Sequence, residues 1–123
     1  MARHNTIGVW GENLACEKLI EKGCAIVARN WRIGHYEVDI IAKKGSGIIF
    51  AEVKTRSQFE DDPLDNMTKQ KMMRIVRSAH AYIKMYNVRE ELQFDIFAIT
   101  GTEHDYKIEH IEDAFFPNQR SYR

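Results

Sequence analysis

A chain of 123 residues, 44% apolar and 29% charged, has the make-up of one ordinary globular domain spanning 1–123, large enough to bury roughly two thirds of its unfolded surface without staples. Its 18 basic and 18 acidic side chains cancel, which argues against a strongly basic binder, yet the charge is sorted: Lys69, Lys71, Arg74, Arg77 and Lys84 fall between residues 67 and 88 with no acid among them, and five acids fall between 103 and 113. No apolar run approaches the ~18 residues of a membrane span, MARHNTIG lacks a signal-peptide core, and Cys16 and Cys24 make no metal spacing, so a cytoplasmic protein with reduced, buried thiols and no membrane partner is expected.

In chain order, residues 6–22 read as a helix that Gly23 closes in the position a C-terminal cap prefers. A short strand begins over 26–28, and a turn or bulge is expected over 30–34. Two strands follow, YEVDIIA (36–42) and IIFAEVK (48–54), joined by the turn-rich KKGSG into a hairpin. The polar segment 57–66 contains a proline and reads as a loop. Thr68 is placed to cap a long helix to about Tyr86, whose stripe Met72, Ile75, Val76, Ala79, Tyr82, Ile83 and Tyr86 keeps the helical period. Strands are expected over 92–100 and 106–111. A loosely held tail begins at about 115, after or with a Phe115–Phe116 pair that closes the core. Helix, three strands, helix and two strands make an α/β sandwich around one mixed sheet.

The hairpin carries the chemistry. Strand residues alternate faces, so Glu37, Asp39 and Ile41 are expected on one face of the first strand, and Ile48, Phe50, Glu52 and Lys54 on one face of the second. A turn centred on Gly45 and Ser46 sets Ile41 opposite Phe50, Asp39 opposite Glu52, and Glu37 opposite Lys54. Carboxylates across a ladder repel by up to about 1 kcal/mol when exposed and more when buried. A hard divalent cation offsets that repulsion, because Mg²⁺ favours one or two carboxylates with water and a substrate phosphate. Lys54, at the open end of the same face, is placed to orient or deprotonate a water, or to stabilise charge on a phosphoryl centre. Carboxylates, metal and lysine together point to phosphodiester hydrolysis. The bland alternative is a structural strand in which Glu37 and Lys54 pair on the surface for under about 1 kcal/mol.

Glu12 shares a helical face with Ala15, Cys16 and Leu19 and reads either as a further ligand or as a first-turn carboxylate tilted to solvent. Lys71, one turn before Ile75, either snorkels outward or reaches a phosphate. The acid-x-lysine tripeptide recurs at Asp105-Tyr106-Lys107, so the tripeptide alone is weak; only the copy at Glu52 ends an apolar strand with an acid across a hairpin from it. The five histidines make no zinc spacing, no serine sits in a nucleophile elbow, and no glycine loop of either standard phosphate-cradling type is present.

Together, Gly11-Glu12 in the first helix, EVDIIA (37–42), FAEVKTR (50–56), and Thr68 to Lys71 leading into residues 79–83 resemble the bacterial YraN family of uncharacterised proteins, from about Gly8 to Ile99. The pattern is also similar to archaeal Holliday junction resolvases and to the wider PD-(D/E)xK nucleases, although Val38 stands where the wider signature often has proline. The resemblance implies a restriction-endonuclease-like three-layer sandwich with a central mixed β-sheet flanked by helices. It implies Asp39, Glu52 and Glu12 as ligands for Mg²⁺ or Mn²⁺, and Lys54 as the catalytic lysine completing the site with those three acids. DNA, including branched DNA, is then the expected substrate, with backbone contacts from Arg56, Lys71, Arg74 and Arg77, and a homodimer is implied. The alternative function is a catalytically inactive nucleic-acid-binding or assembly module on the same fold.

Overall fold

The computed structural model describes residues 6–57 and 67–114. The expected loop, apart from Ser57, and the expected tail with Phe115 and Phe116 lie outside the described residues. The first helix, α1 (Thr6–Glu21), ends where Gly23 takes a φ of 91° that side chains disfavour. There the Cys24 N–H donates to the Leu19 carbonyl at 3.0 Å and the Gly23 N–H to that of Ile20 at 2.9 Å, satisfying helix-end carbonyls.

Three antiparallel strands follow, β1 (Ala25–Ile33), β2 (Tyr36–Lys44) and β3 (Gly47–Arg56). The second hairpin turns at Gly45 and Ser46, with Lys44 paired to Gly47, as the sequence indicates. Thr68 caps α2 (Lys69–Tyr86) by accepting the Lys71 N–H, and Asn87 closes it in the left-handed conformation. This helix carries the chain over the sheet, so that β4 (Glu91–Thr102) runs parallel to β3; β5 (Asp105–Ile111) returns antiparallel. The strand order β1-β2-β3-β4-β5 makes the sheet mixed.

Each helix covers one face. Ala15, Cys16 and Leu19 of α1 pack with Ile40, Ala42, Ile49, Ala51 and Phe97. On the other face Ile75, Val76, Ala79 and Tyr82 of α2 pack with Val38, Ile41, Ile48, Phe50 and Phe94. Cys16 and Cys24 are free and buried, and burial pushes both thiols up, away from the reactive thiolate. No described helix is long and apolar enough to cross a membrane.

One expectation is narrowed and one needs correction. Of residues 30–34 only Gly34 lies in the turn, which it shares with His35; β1 does not break at Asn30, whose φ is 51°, but continues to Ile33. Nor does β2 alternate strictly. Ile40 and Ala42 face α1 while Val38 and Ile41 face α2, so the face expected for Glu37, Asp39 and Ile41 is interrupted at Asp39. The same interruption occurs across the ladder, since Asn30 and Asp39 lie between the Arg29/Ile40 and Trp31/Val38 pairs. A left-handed residue inside a strand re-aims the side chains on either side of it.

A second polar feature lies inside the α1 face. Asp95, 1% exposed in the middle of β4, accepts from Gln93 Nε2 at 2.9 Å, from the Asp113 N–H at 3.2 Å, and from His110 Nε2 at 2.7 Å. His110 stacks on Phe97 with centroids 4.0 Å apart. Lys22 Nζ lies 2.6 Å from its Nδ1, and a lysine ammonium can only donate, which assigns the ring proton to Nε2. Asp95 thereby fastens the end of β5 to the sheet and leaves no buried acceptor idle.

Candidate functional site

The sequence brings α1 unusually close to the far end of β3 through Gly11. A Cβ at that position would collide with Thr55 Cγ2 and lie 3.5 Å from Ile99 Cδ1 and 3.6 Å from Val53 Cγ1. The next residue, Glu12, is therefore held beside the rung where β2 and β3 separate.

The β2/β3 register is the one expected, with Ile41 opposite Phe50, but the ladder ends at Ile40/Ala51. One residue further along, the Val53 N–H donates to Asp39 Oδ2 at 2.9 Å. The Asp39 carboxyl also shares a hydrogen bond with that of Glu52. Burial, then the charge of Glu52, and then that of Glu12 push Asp39 from 3.8 up to about 8, against the opposing pull of the Val53 N–H. Asp39 thus carries a proton at neutral pH, and the two carboxyls share it as closely placed acids must when no cation separates them.

Lys54 Nζ lies 3.0 Å from Glu52 Oε2, on the same face of the same strand. The expected Glu37–Lys54 pair does not form. Because the ladder stops short of it, Glu37 turns to β1 and meets Arg32 Nη2 at 2.8 Å. Glu12 is not tilted to solvent: its Oε1 accepts from Asn30 Nδ2 at 2.9 Å and lies 3.5 Å from Arg29 Nη2, and its side chain is 16% exposed. Arg29 is braced in turn by Asn13 Oδ1 at 2.7 Å.

Glu52 and Lys54 open onto a cavity of about 370 Å³ whose opposite wall is α2, with Lys71 and Arg74. His35 and Glu37 close one side. Ser78 fixes that wall, accepting the Glu37 N–H at 3.2 Å and donating to the Arg74 carbonyl at 2.9 Å. Of the sequence-derived backbone contacts, Lys71 and Arg74 meet at this cavity and the other two do not: Arg56 Nη1 donates to the Thr55 carbonyl at 2.8 Å, and Arg77 is exposed outside the lining. His35 is the residue that sequence reasoning overlooks; its place on the β1–β2 turn, after Gly34 with φ 58°, is the signal that could have found it.

For a metal, the described residues include no group of three or more His, Cys, Asp or Glu side chains gathered to hold one. They do supply the Asp39–Glu52 pair, with Glu12 near enough for its charge to reach Asp39. Hard oxygen donors placed this close together fit Mg²⁺ or Mn²⁺, which take one or two carboxylates and fill the remaining positions with water and substrate.

The model of an uncharacterised protein family, UPF0102, matches residues 11–99. A UPF0102 protein of Bacteroides fragilis is 43% identical over 118 residues, covering 95% of this chain and 98% of the relative. One from Bacteroides thetaiotaomicron is 42% identical with the same coverage, and one from Flavobacterium psychrophilum is 38% identical over 94% of this chain and 98% of its own. Among solved structures, Pyrococcus furiosus SfsA in complex with Ca²⁺ aligns at a TM-score of 0.35 with 16% identity, over 82% of this chain and 62% of SfsA.

Proposed function

We propose that this chain, which belongs to the uncharacterised protein family UPF0102, is a divalent-metal-dependent endonuclease that hydrolyses phosphodiester bonds in DNA, branched structures included. The observation that carries this reading is the pair of carboxyls, Asp39 and Glu52, sharing a proton in the protein interior with Lys54 3.0 Å from Glu52 at the edge of a basic cavity. A structural role alone leaves the pair unexplained, since burying one carboxyl beside another is costly and only one of them, Glu52, has a lysine partner.

Asp39 and Glu52 would hold Mg²⁺ or Mn²⁺, with Glu12 completing the acidic set. When bound, the metal supplies Lewis-acid polarisation and charge neutralisation at the phosphate. Asp39 must first release its proton, with the neighbouring Glu52 carboxylate, which does line the cavity, as its nearest acceptor. Lys54 then exchanges its contact with Glu52 for the attacking water or a phosphate oxygen, and its positive charge stabilises negative charge developing there. Lys71 and Arg74 hold the backbone from the α2 wall, while Arg56 and Arg77 add contacts outside the cavity. Such contacts position a strand without reading its sequence.

Incubation with branched, duplex and single-stranded DNA and with RNA, in Mg²⁺ or Mn²⁺, tests the reading against Lys54→Ala as the control. Cleavage by the parent and not by Lys54→Ala is expected. Undiminished metal binding by Asp39→Ala and Glu52→Ala refutes the site. Binding without cleavage across the panel favours the inactive module.

A further inference from the structure

We propose that His35, Lys71 and Arg74 form a second phosphate subsite beside the reacting pair, so that the substrate is gripped by two neighbouring phosphates of one strand. This rests on the hydrolase reading for the identity of the first phosphate, but the subsite itself stands on separate observations.

The first is charge. The cavity's two acids are both engaged, Glu52 with Lys54 and Glu37 with Arg32. Among the described residues no acid pairs with Lys71, Arg74 or His35, and the wall those three form is basic. Lys71 and Arg74 are three positions apart on α2 and present neighbouring side chains on one surface. His35 faces them from the β1–β2 turn. Ser78 takes no part, because its hydroxyl proton is committed to the Arg74 carbonyl.

The second is what the lining lacks. Among the described residues it contains no Phe, Tyr or Trp, its one ring is the His35 imidazole, and Ile75 is its one apolar side chain. Bases in unpaired strands are held by stacking on aromatic faces, chiefly the large rings of Trp, Tyr and Phe, and a single imidazole on a turn is a small platform beside two cationic side chains. A lining of imidazole, ammonium and guanidinium recognises phosphate oxygens instead, with Arg74 capable of a two-pronged contact. The third is size: about 370 Å³ falls within the range of ligand clefts, about 300–1,000 Å³, and exceeds what one phosphate at Glu52 and Lys54 occupies. The substrate class is therefore an oligonucleotide backbone with consecutive phosphates, and small isolated diesters are poor substrates.

Calorimetric titration with dithymidylate, with and without a 5′-phosphate, tests this on the full chain. The parent should bind the phosphorylated form about tenfold more tightly, the increment expected from one additional charge-assisted contact set. The preference should appear in EDTA as well as in Mg²⁺, since basic side chains create it. His35→Gln/Arg74→Gln should abolish the preference without altering thermal stability, both side chains being exposed, while Lys84→Ala on the same helix should keep it. No preference in the parent, or the same preference in the double variant, overturns the subsite. The two readings fail separately: a phosphate preference without cleavage of any nucleic acid sinks the hydrolase and keeps the subsite, whereas cleavage without the preference does the reverse.

Discussion

Asp39→Asn should make the metal-free protein more stable at alkaline pH and flatten its stability profile. In the parent, the unfolded chain ionises Asp39 near 3.8 while the folded chain resists until about 8. Between those values the folded state binds the extra proton, so unfolding becomes easier as pH rises, by about 1.4 kcal/mol per pH unit. The stabilisation is fully present below about pH 4, declines across the window and is exhausted above about pH 8, a loss on the order of 5 kcal/mol. Asparagine imitates the protonated acid: its oxygen still accepts the Val53 N–H and its amide donates toward Glu52. The substitution should be stabilising by about 1–2 kcal/mol at pH 5, near the foot of the window, and by about 5 kcal/mol at pH 8.5. Urea unfolding of both proteins in EDTA, at half-unit steps from pH 5 to 9, measures the difference, and titrating groups remote from the Asp39–Glu52 pair cancel in the comparison. Parallel profiles, or a parent that gains stability relative to the variant with pH, would refute the account. If Asp39 and Glu52 hold a divalent cation, Mg²⁺ should stabilise the parent more at pH 8 than at pH 6, because the ligand must first lose its proton, and should barely affect Asp39→Asn.

Gly11→Ala gains up to about 1 kcal/mol of helix propensity, but the added methyl meets the stiff, branched Thr55 side chain and overpacking costs about 1–3 kcal/mol; a net loss of about 1–2 kcal/mol in urea is expected, with weaker Mg²⁺ stabilisation. Asn30→Gly keeps the left-handed backbone and loses only the bond to Glu12, whereas Asn30→Ala adds about 1–2 kcal/mol of strain, so chemical denaturation should rank parent, glycine and alanine in that order. Asp95→Ala strips three buried or partly buried donors of their acceptor and should destabilise by about 3–5 kcal/mol, with Asp95→Asn milder; equal unfolding midpoints for parent and alanine variant would remove its role as a clasp.

Most of the architecture was legible because its signals are local. Gly23 and Thr68 mark helix ends by backbone conformation and hydrogen bonding that involve only near neighbours, and Gly45-Ser46 sets the hairpin register from two residues. Alternation then correctly gathered Ile48, Phe50, Glu52 and Lys54 on the α2 side. What periodicity cannot report is where a ladder stops. Asp39 and Glu52 were expected as facing ladder residues, but the pairing ends at Ile40/Ala51 and a side chain takes over as the acceptor of the Val53 N–H. The partners of Glu12 were equally hidden, since Asn30 reaches it from 18 residues away by adopting a conformation strands rarely allow. Asp95 drew no notice in the sequence, because the donors that make its burial tolerable include His110 and Asp113, 15 and 18 residues further along the chain.

The departures from local rules separate into two kinds, and the separation bears on which polar clusters act. Asp95 breaks the rule against buried charge, yet both its oxygens have donors, from three residues in all, so its burial is compensated within the fold. At the other end of the sheet the departures accumulate around one rung: a helix-interior glycine against Thr55, a left-handed asparagine within a strand, and two carboxyls sharing a proton. The glycine lowers helix propensity, the left-handed asparagine strains a strand, and the raised Asp39 marks a costly burial. Departures from local rules are expected where a fold serves a site rather than itself. Asp39, short of a counter-charge while Glu52 has Lys54, is the member of that group whose deficit a bound cation would remove.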